Sequence, residues 1–149
     1  MLETDSLRKV LQTKALLAAS TLSLPLKLGE ESFAVPSGQV WGEFWFRMGT
    51  GIQMELGTRS SYEKTPGLMQ FSLYAPEKSG DGPVLKIADQ LKNMWNRTQF
   101  TVAPDGYVNF HVIGVDELPG IRNGFKVVIV DGSFDFFHRN PNPSVVLGS

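Results

Sequence analysis

Residues 65–95 read Thr-Pro-Gly-Leu-Met-Gln-Phe-Ser-Leu-Tyr-Ala-Pro-Glu-Lys-Ser-Gly-Asp-Gly-Pro-Val-Leu-Lys-Ile-Ala-Asp-Gln-Leu-Lys-Asn-Met-Trp. Leu68 to Tyr74 is a short apolar run of strand length, and Ala75 to Pro83 is a Gly/Pro break. From Val84 the apolar residues Val84, Ile87, Ala88, Leu91, Met94 and Trp95 recur at the offsets of one helical stripe. Lys86, Asp89 and Asn93 fall on the opposite side. Pro83 suits the first helical turn, where a missing N–H costs little. A strand, a joint and a packing helix predict an α/β (α+β) domain.

The flanks extend that pattern. Leu7, Val10, Leu11, Leu17 and Ala18 form a second stripe, predicting an N-terminal helix capped by Thr4 or Asp5 and finished before Pro25. Lys14 falls inside the stripe and must carry its charge out along its own stem. Leu24, Leu26 and Leu28 alternate as a short strand, and 29–38 reads as a loop into which Phe33 and Val35 dip. Val40 to Met48 is a strand with Trp41, Glu43, Trp45 and Arg47 on one face and Val40, Phe44 and Phe46 on the other. Aromatics on both faces fit a strand covered on both sides by its own domain. They also fit one whose outer face meets another chain, because Trp and Arg are enriched in such contacts.

Ile52, Met54 and Leu56 alternate, after which Arg59 to Lys64 reads as a projecting loop containing Tyr62. Gln99 to Val102 is a short strand, and Pro104-Asp105-Gly106 is a turn. Tyr107 to Val115 is a strand with Tyr107, Asn109, His111 and Ile113 on one face. Pro119-Gly120 and Asn123-Gly124 mark turns. Phe125 to His138 reads as one long strand with a glycine bulge at Gly132, in preference to a hairpin turning at Asp131-Gly132. The sheet is expected to be mixed and largely antiparallel, packed by the two helices. Residues 1–139 make one domain, and 140–149, with Pro141 and Pro143, form a loose tail.

The totals narrow the function. The net charge of −1 argues against a protein that coats nucleic acid. There is no cysteine, hence no disulfide, thiol nucleophile or thiolate metal site. No apolar run approaches the roughly 20 residues that span a bilayer. Glu3 and Asp5 at the start do not fit a signal peptide. His111 and His138, the only histidines, belong to no ligand motif. Asp131, Ser133 and Asp135 spread along a strand, whereas a calcium loop converges its oxygens. Gly80-Asp81-Gly82 lacks the lysine and hydroxyl of a phosphate loop. Glu30-Glu31 reads as a solvated pair, and no nucleophile–His–Asp set stands out. No catalytic residue, metal or cofactor is expected.

The order of segments resembles the tail terminator proteins of long-tailed bacteriophages. The resemblance rests on Trp41-Gly42-Glu43-Phe44, on Thr65 to Pro76 ending in aromatic-x-Pro, on the glycine joint, on the helix closing at Trp95, and on Gln99-Phe100-Thr101-Val102. It spans roughly Leu7 to His138. It implies a non-enzymatic virion protein. Six copies would form a ring that caps the tail tube, ends its polymerisation and meets the neck or connector proteins of the head. Genomic DNA would pass through the lumen only transiently. Assembly would occur in the host cytoplasm, with no membrane involved. Another head–tail connector or neck protein is the alternative, followed by a monomeric ligand-binding α/β domain. Trp41, Trp45, Arg47, Arg59, Tyr62 and Lys64 are the interface residues expected from the strand face and the loop. Charge reversal at Arg59 and Lys64 is expected to impair contact without unfolding the domain.

Overall fold

Helix α2, Gly82–Trp95, forms where the stripe predicts it, with Pro83 in its first turn. It buries Val84, Ala88, Leu91 and Trp95, whereas Met94 remains 37% exposed. Helix α1 spans Leu2–Thr21, so Thr4 and Asp5 lie inside it and are not caps. Asp5 instead pairs with Arg8 at 2.6 Å and Lys9 at 3.3 Å, contacts that hold its carboxyl below its ordinary value. The buried stripe of α1 is Leu7, Leu11, Ala15, Ala18 and Ala19. Leu17, assigned to that stripe from sequence, is 61% exposed. The small residues Ala15 and Ala19 take the core side because they let the helix lie close to the sheet.

The structure is a computed structural model that describes residues 2–29, 32–49, 52–53, 62–102 and 106–139, without the side chains of 2–4, 52–53, 62 and 139. Its strands are β1 Leu26–Leu28, β2 Trp41–Met48, β3 Ile52–Gln53, β4 Tyr62–Pro76, β5 Gln99–Val102, β6 Gly106–Phe110, β7 Gly114–Glu117 and β8 Phe125–Arg139. They form one sheet in the order β1-β2-β4-β8-β6-β5, with β3 on β4 and β7 on β8. Only β1 on β2 is parallel; the other pairs are antiparallel. This is the mixed, largely antiparallel α+β sheet expected. The sequence tail 140–149 lies outside the described residues.

Strand β4 is longer than the sequence suggests. Tyr62, Glu63 and Lys64, read as part of a projecting loop, open the strand and pair with Arg139, His138 and Phe137 of β8. Pro66-Gly67 does not end the strand. The Pro66 carbonyl accepts from the Gly49 N–H at 2.7 Å, just past the end of β2, and Gly67 lies under the Phe134 ring. A Cβ on Gly67 would stand 2.3 Å from that ring and 2.9 Å from the Arg47 carbonyl.

Strand β8 is the single long strand favoured from sequence, in unbroken register with β4 from Tyr62↔Arg139 to Pro76↔Phe125. The irregularity lies on its other neighbour. Between Phe110↔Phe134 and Gly114↔Asp131, four steps along one chain oppose three along β8. Residues 111–113 therefore separate β6 from β7. That extra residue reverses the faces: Ile113, expected beside Tyr107 and Asn109, is fully buried, and Val112 is 57% exposed. Gly132 gives the room, since a Cβ there would stand 2.5 Å from Ile113 Cδ1. The backbone freed by the bulge is satisfied locally. Ile113 N–H donates to Asn96 Oδ1 at 2.8 Å, Arg97 N–H to the His111 carbonyl at 3.0 Å, and His111 N–H to the Ser133 carbonyl at 3.0 Å.

Both helices cover one face of the sheet. Around Trp95 gather Phe110, Phe71, Phe44 and Phe100, at ring separations of 5.0, 5.6, 5.9 and 6.0 Å. Gly67→Ala is expected to lower stability in urea unfolding by about 1–3 kcal/mol through overpacking. Adding Phe134→Leu should recover part of that loss, because the two positions share one contact. Additive losses would show that the ring is not the obstacle.

Candidate interaction face of the sheet

The face without helices is built in rows by the strand register. Lys27, Glu43, Ser72, Ile129 and Asp116 form one row across β1, β2, β4, β8 and β7. Trp45, Gln70, Asp131 and Gly114 form the next, and Arg47, Leu68 and Ser133 the one after. Leu68 is 45% exposed, and the Arg47 guanidinium lies 5.9 Å from the Trp45 ring centre. Arg47 has no carboxylate partner among the described residues. Beside it, Arg47, Met48, Pro66, Leu68 and Ser133 line a shallow depression of about 260 Å³.

Trp41 lies on this face but is not available as expected. It is 91% buried, stacked on Tyr74 at 4.3 Å and under Phe33 at 5.4 Å, with Phe125 edge-on at 6.0 Å. Phe33 therefore does dip inward; Val35, expected to do the same, is 55% exposed. Trp41 Nε1 is buried with no hydrogen-bond partner among the described residues. The aromatic group walls a groove of about 490 Å³ that continues to Lys27, Glu43, Arg122 and Asn123. Asn123 and Gly124, with φ of 54° and 82°, make the two-residue turn that folds Arg122 back onto Phe125 and forms the groove's far wall. Glu43 is held by Lys27 at 3.5 Å and accepts from the Tyr74 hydroxyl at 3.3 Å. Burial, followed by the Glu43 charge, pushes the Tyr74 hydroxyl above its ordinary value.

Of the six residues named from sequence, the fold brings Trp45 and Arg47 together on an accessible surface. Trp41 is sealed into the chain's own aromatic stack. Lys64 sits at the other end of β4, with its Nζ 3.8 Å from Asp135 Oδ2, which His111 Nε2 also contacts at 2.9 Å. Charge reversal at Lys64 would set two carboxylates together inside the sheet, so it is no longer a clean probe of a loop. Tyr62 belongs to β4, with its side chain outside the description, and Arg59 lies outside the described residues. The sequence reading missed Leu68 and the Asp116–Asp131 pair, because only the register sets Leu68 beside Arg47 and brings β7 alongside β8. Among the described residues, no group of three or more His, Cys, Asp or Glu could hold a metal ion. Gly80-Asp81-Gly82 opens α2, and Asp81 is bound by Lys126 at 2.8 Å.

No protein-family model and no curated protein matches the chain. Among solved structures, one with no stated activity superposes with a TM-score of 0.71, over 91% of this chain and 96% of its own, at 15% identity. That likeness establishes a shared fold and nothing finer.

Asp131 gives the face a pH signature. Burial, then the neighbouring Asp116 charge, raises its carboxyl above 3.8. The folded chain thus holds this proton more tightly than the unfolded one. The resulting stabilisation is full below the ordinary value and is lost as pH rises through the raised one. Asp131→Asn should raise the melting temperature by about 1–2 °C at pH 7, the size expected for a partly exposed group. Thermal melts at pH 3 should show no difference; a gain equal at both pH values would refute the assignment.

Proposed function

We propose that this chain is a phage tail terminator, a structural subunit of the virion with no catalytic role. Six copies form a ring on the end of the tail tube, stop its growth and present a second surface to the connector or neck proteins. DNA passes through the lumen without being held. The observation that carries the reading is the sheet face that no described element covers, where Trp45, Arg47 and Leu68 lie together and Arg47 has no carboxylate partner among the described residues. An unpaired guanidinium beside a tryptophan and an exposed leucine has the composition of a protein–protein contact. The segment order behind the resemblance also supports it: β2, β4, the joint, α2 and β5 occur in that order, with β3 between β2 and β4. A closed ring of six would contact its neighbours through two different surfaces of each copy.

Arg47→Glu combined with Trp45→Ser is expected to leave the fold intact by circular dichroism and to reduce tube capping at least tenfold in negative-stain counts of capped ends. Native mass spectrometry of the wild-type chain should find six copies, alone or with tube present. A wild-type chain that stays monomeric at high concentration and ignores tube ends would sink the reading. Gene deletion separates the terminator from another neck protein. Loss of a terminator yields overlong tails, whereas loss of a neck protein leaves tails of normal length unjoined to heads.

A further inference from the structure

On the opposite side of the domain, strand β5 ends the sheet. Its pairing with β6 shows which of its backbone groups are spoken for. Phe110 N–H donates to the Thr98 carbonyl at 2.8 Å, and the register continues through Phe100↔Val108 to Val102↔Gly106. In an antiparallel ladder, residues alternate between facing the partner and facing away. Thr98, Phe100 and Val102 thus face β6, and the N–H and C=O of Gln99 and Thr101 point off the sheet. Both residues are exposed. The edge carries none of the usual protections: Gln99-Phe100-Thr101-Val102 has no charge, no proline and no bulge.

A groove of about 360 Å³ runs beside this edge, between β5 and the helices, lined by Lys14, Leu17, Met94, Gln99 and Phe100 among others. Leu17 and Met94, the residues that left the two helical stripes, are 61% and 37% exposed at its rim. Lys14 lies over the Phe100 ring at 4.6 Å and, among the described residues, is the only charged one lining the groove. It has no ion pair among the described residues. Two donors and two acceptors without a partner among the described residues, spaced along a strand beside an apolar trough, match one ligand geometry: an extended polypeptide. The lone lysine adds the sign of its charge.

We propose that β5 and this groove form a binding site for an extended segment of a partner protein. The segment adds as an antiparallel strand on Gln99 and Thr101. Its groove-facing side chains are apolar, with one carboxylate that meets Lys14. The site stands apart from the Trp45–Arg47 face and does not depend on ring formation.

Fluorescein-labelled Val-Thr-Glu-Thr-Val, amidated at its C-terminus, is the probe, read by polarisation against the full chain. Saturable binding is expected. In the antiparallel seat the threonines lie opposite Gln99 and Thr101, so their amides face β5. N-methylation of both threonine amides should weaken binding more than tenfold. N-methylation of the glutamate and C-terminal valine amides should have little effect, because these point away. Equal binding of the two isomers, the opposite order, or no saturable binding would overturn the site. Thr101→Pro removes an outward N–H without touching the β6 ladder and should abolish binding. If that variant misfolds, the methylated isomers on the wild-type chain decide. Lys14→Glu should lose affinity several-fold for the glutamate peptide and regain it for the lysine analogue; indifference to both would overturn the charge assignment. A wild-type chain that self-associates in sedimentation and ignores the peptide would place a second copy on the edge and overturn the proposal.

Discussion

The contact on which the fold depends is Trp95 against four phenylalanines from four strands. Phe44 comes from β2, Phe71 from β4, Phe110 from β6 and Phe100 from β5. In the sheet order, β2 and β5 stand four spacings apart, about 19 Å in a flat sheet. Both still bring a ring to within about 6 Å of the same indole. The sheet must therefore curl around the C-terminal end of α2. Curling places β5 beside the helices and opens the groove at Lys14, while the convex face keeps Trp45 and Arg47 outside.

The same helix end controls the irregularity between β6 and β7. Asn96 follows Trp95, accepts from the Ile113 N–H and so anchors the extra residue between β6 and β7. Packing and hydrogen bonding are coupled here. Ile113 fills the space above Gly132 only because the bulge turns it inward, and the bulge persists only because its backbone groups find partners. Through β7, that bulge sets Asp116 next to Asp131 on the outer face. The electrostatics of that face thus follow from a core contact on the other side of the sheet.

Much of this was legible in the residues. The α2 stripe, the Asn123-Gly124 turn, the long β8 and the two faces of β2 all follow from period and turn chemistry. What failed did so for physical reasons. Trp41 looked like Trp45 because alternation places both on one face; burial by Phe33 and Tyr74 depends on a loop and a neighbouring strand. Leu17 and Met94 satisfied a helical period, yet a stripe seen on one helix cannot register where the sheet ends beneath it. Lys64 seemed to belong to a loop because Pro66-Gly67 is a turn signal. The long register with β8, and a phenylalanine ring that requires a glycine, overrode that signal.

The sequence by itself determined the α+β class, the two helices, most strands and the separation of β2 into a core face and an outer face. These are consequences of local period, and period is written in the chain. Only the tertiary structure decided which outer residues are accessible, where the ladder slips by one residue and which strand edge is left open. Those depend on neighbours distant in sequence: Phe33 over Trp41, Ile113 over Gly132, and β5 at the end of a sheet curled around Trp95.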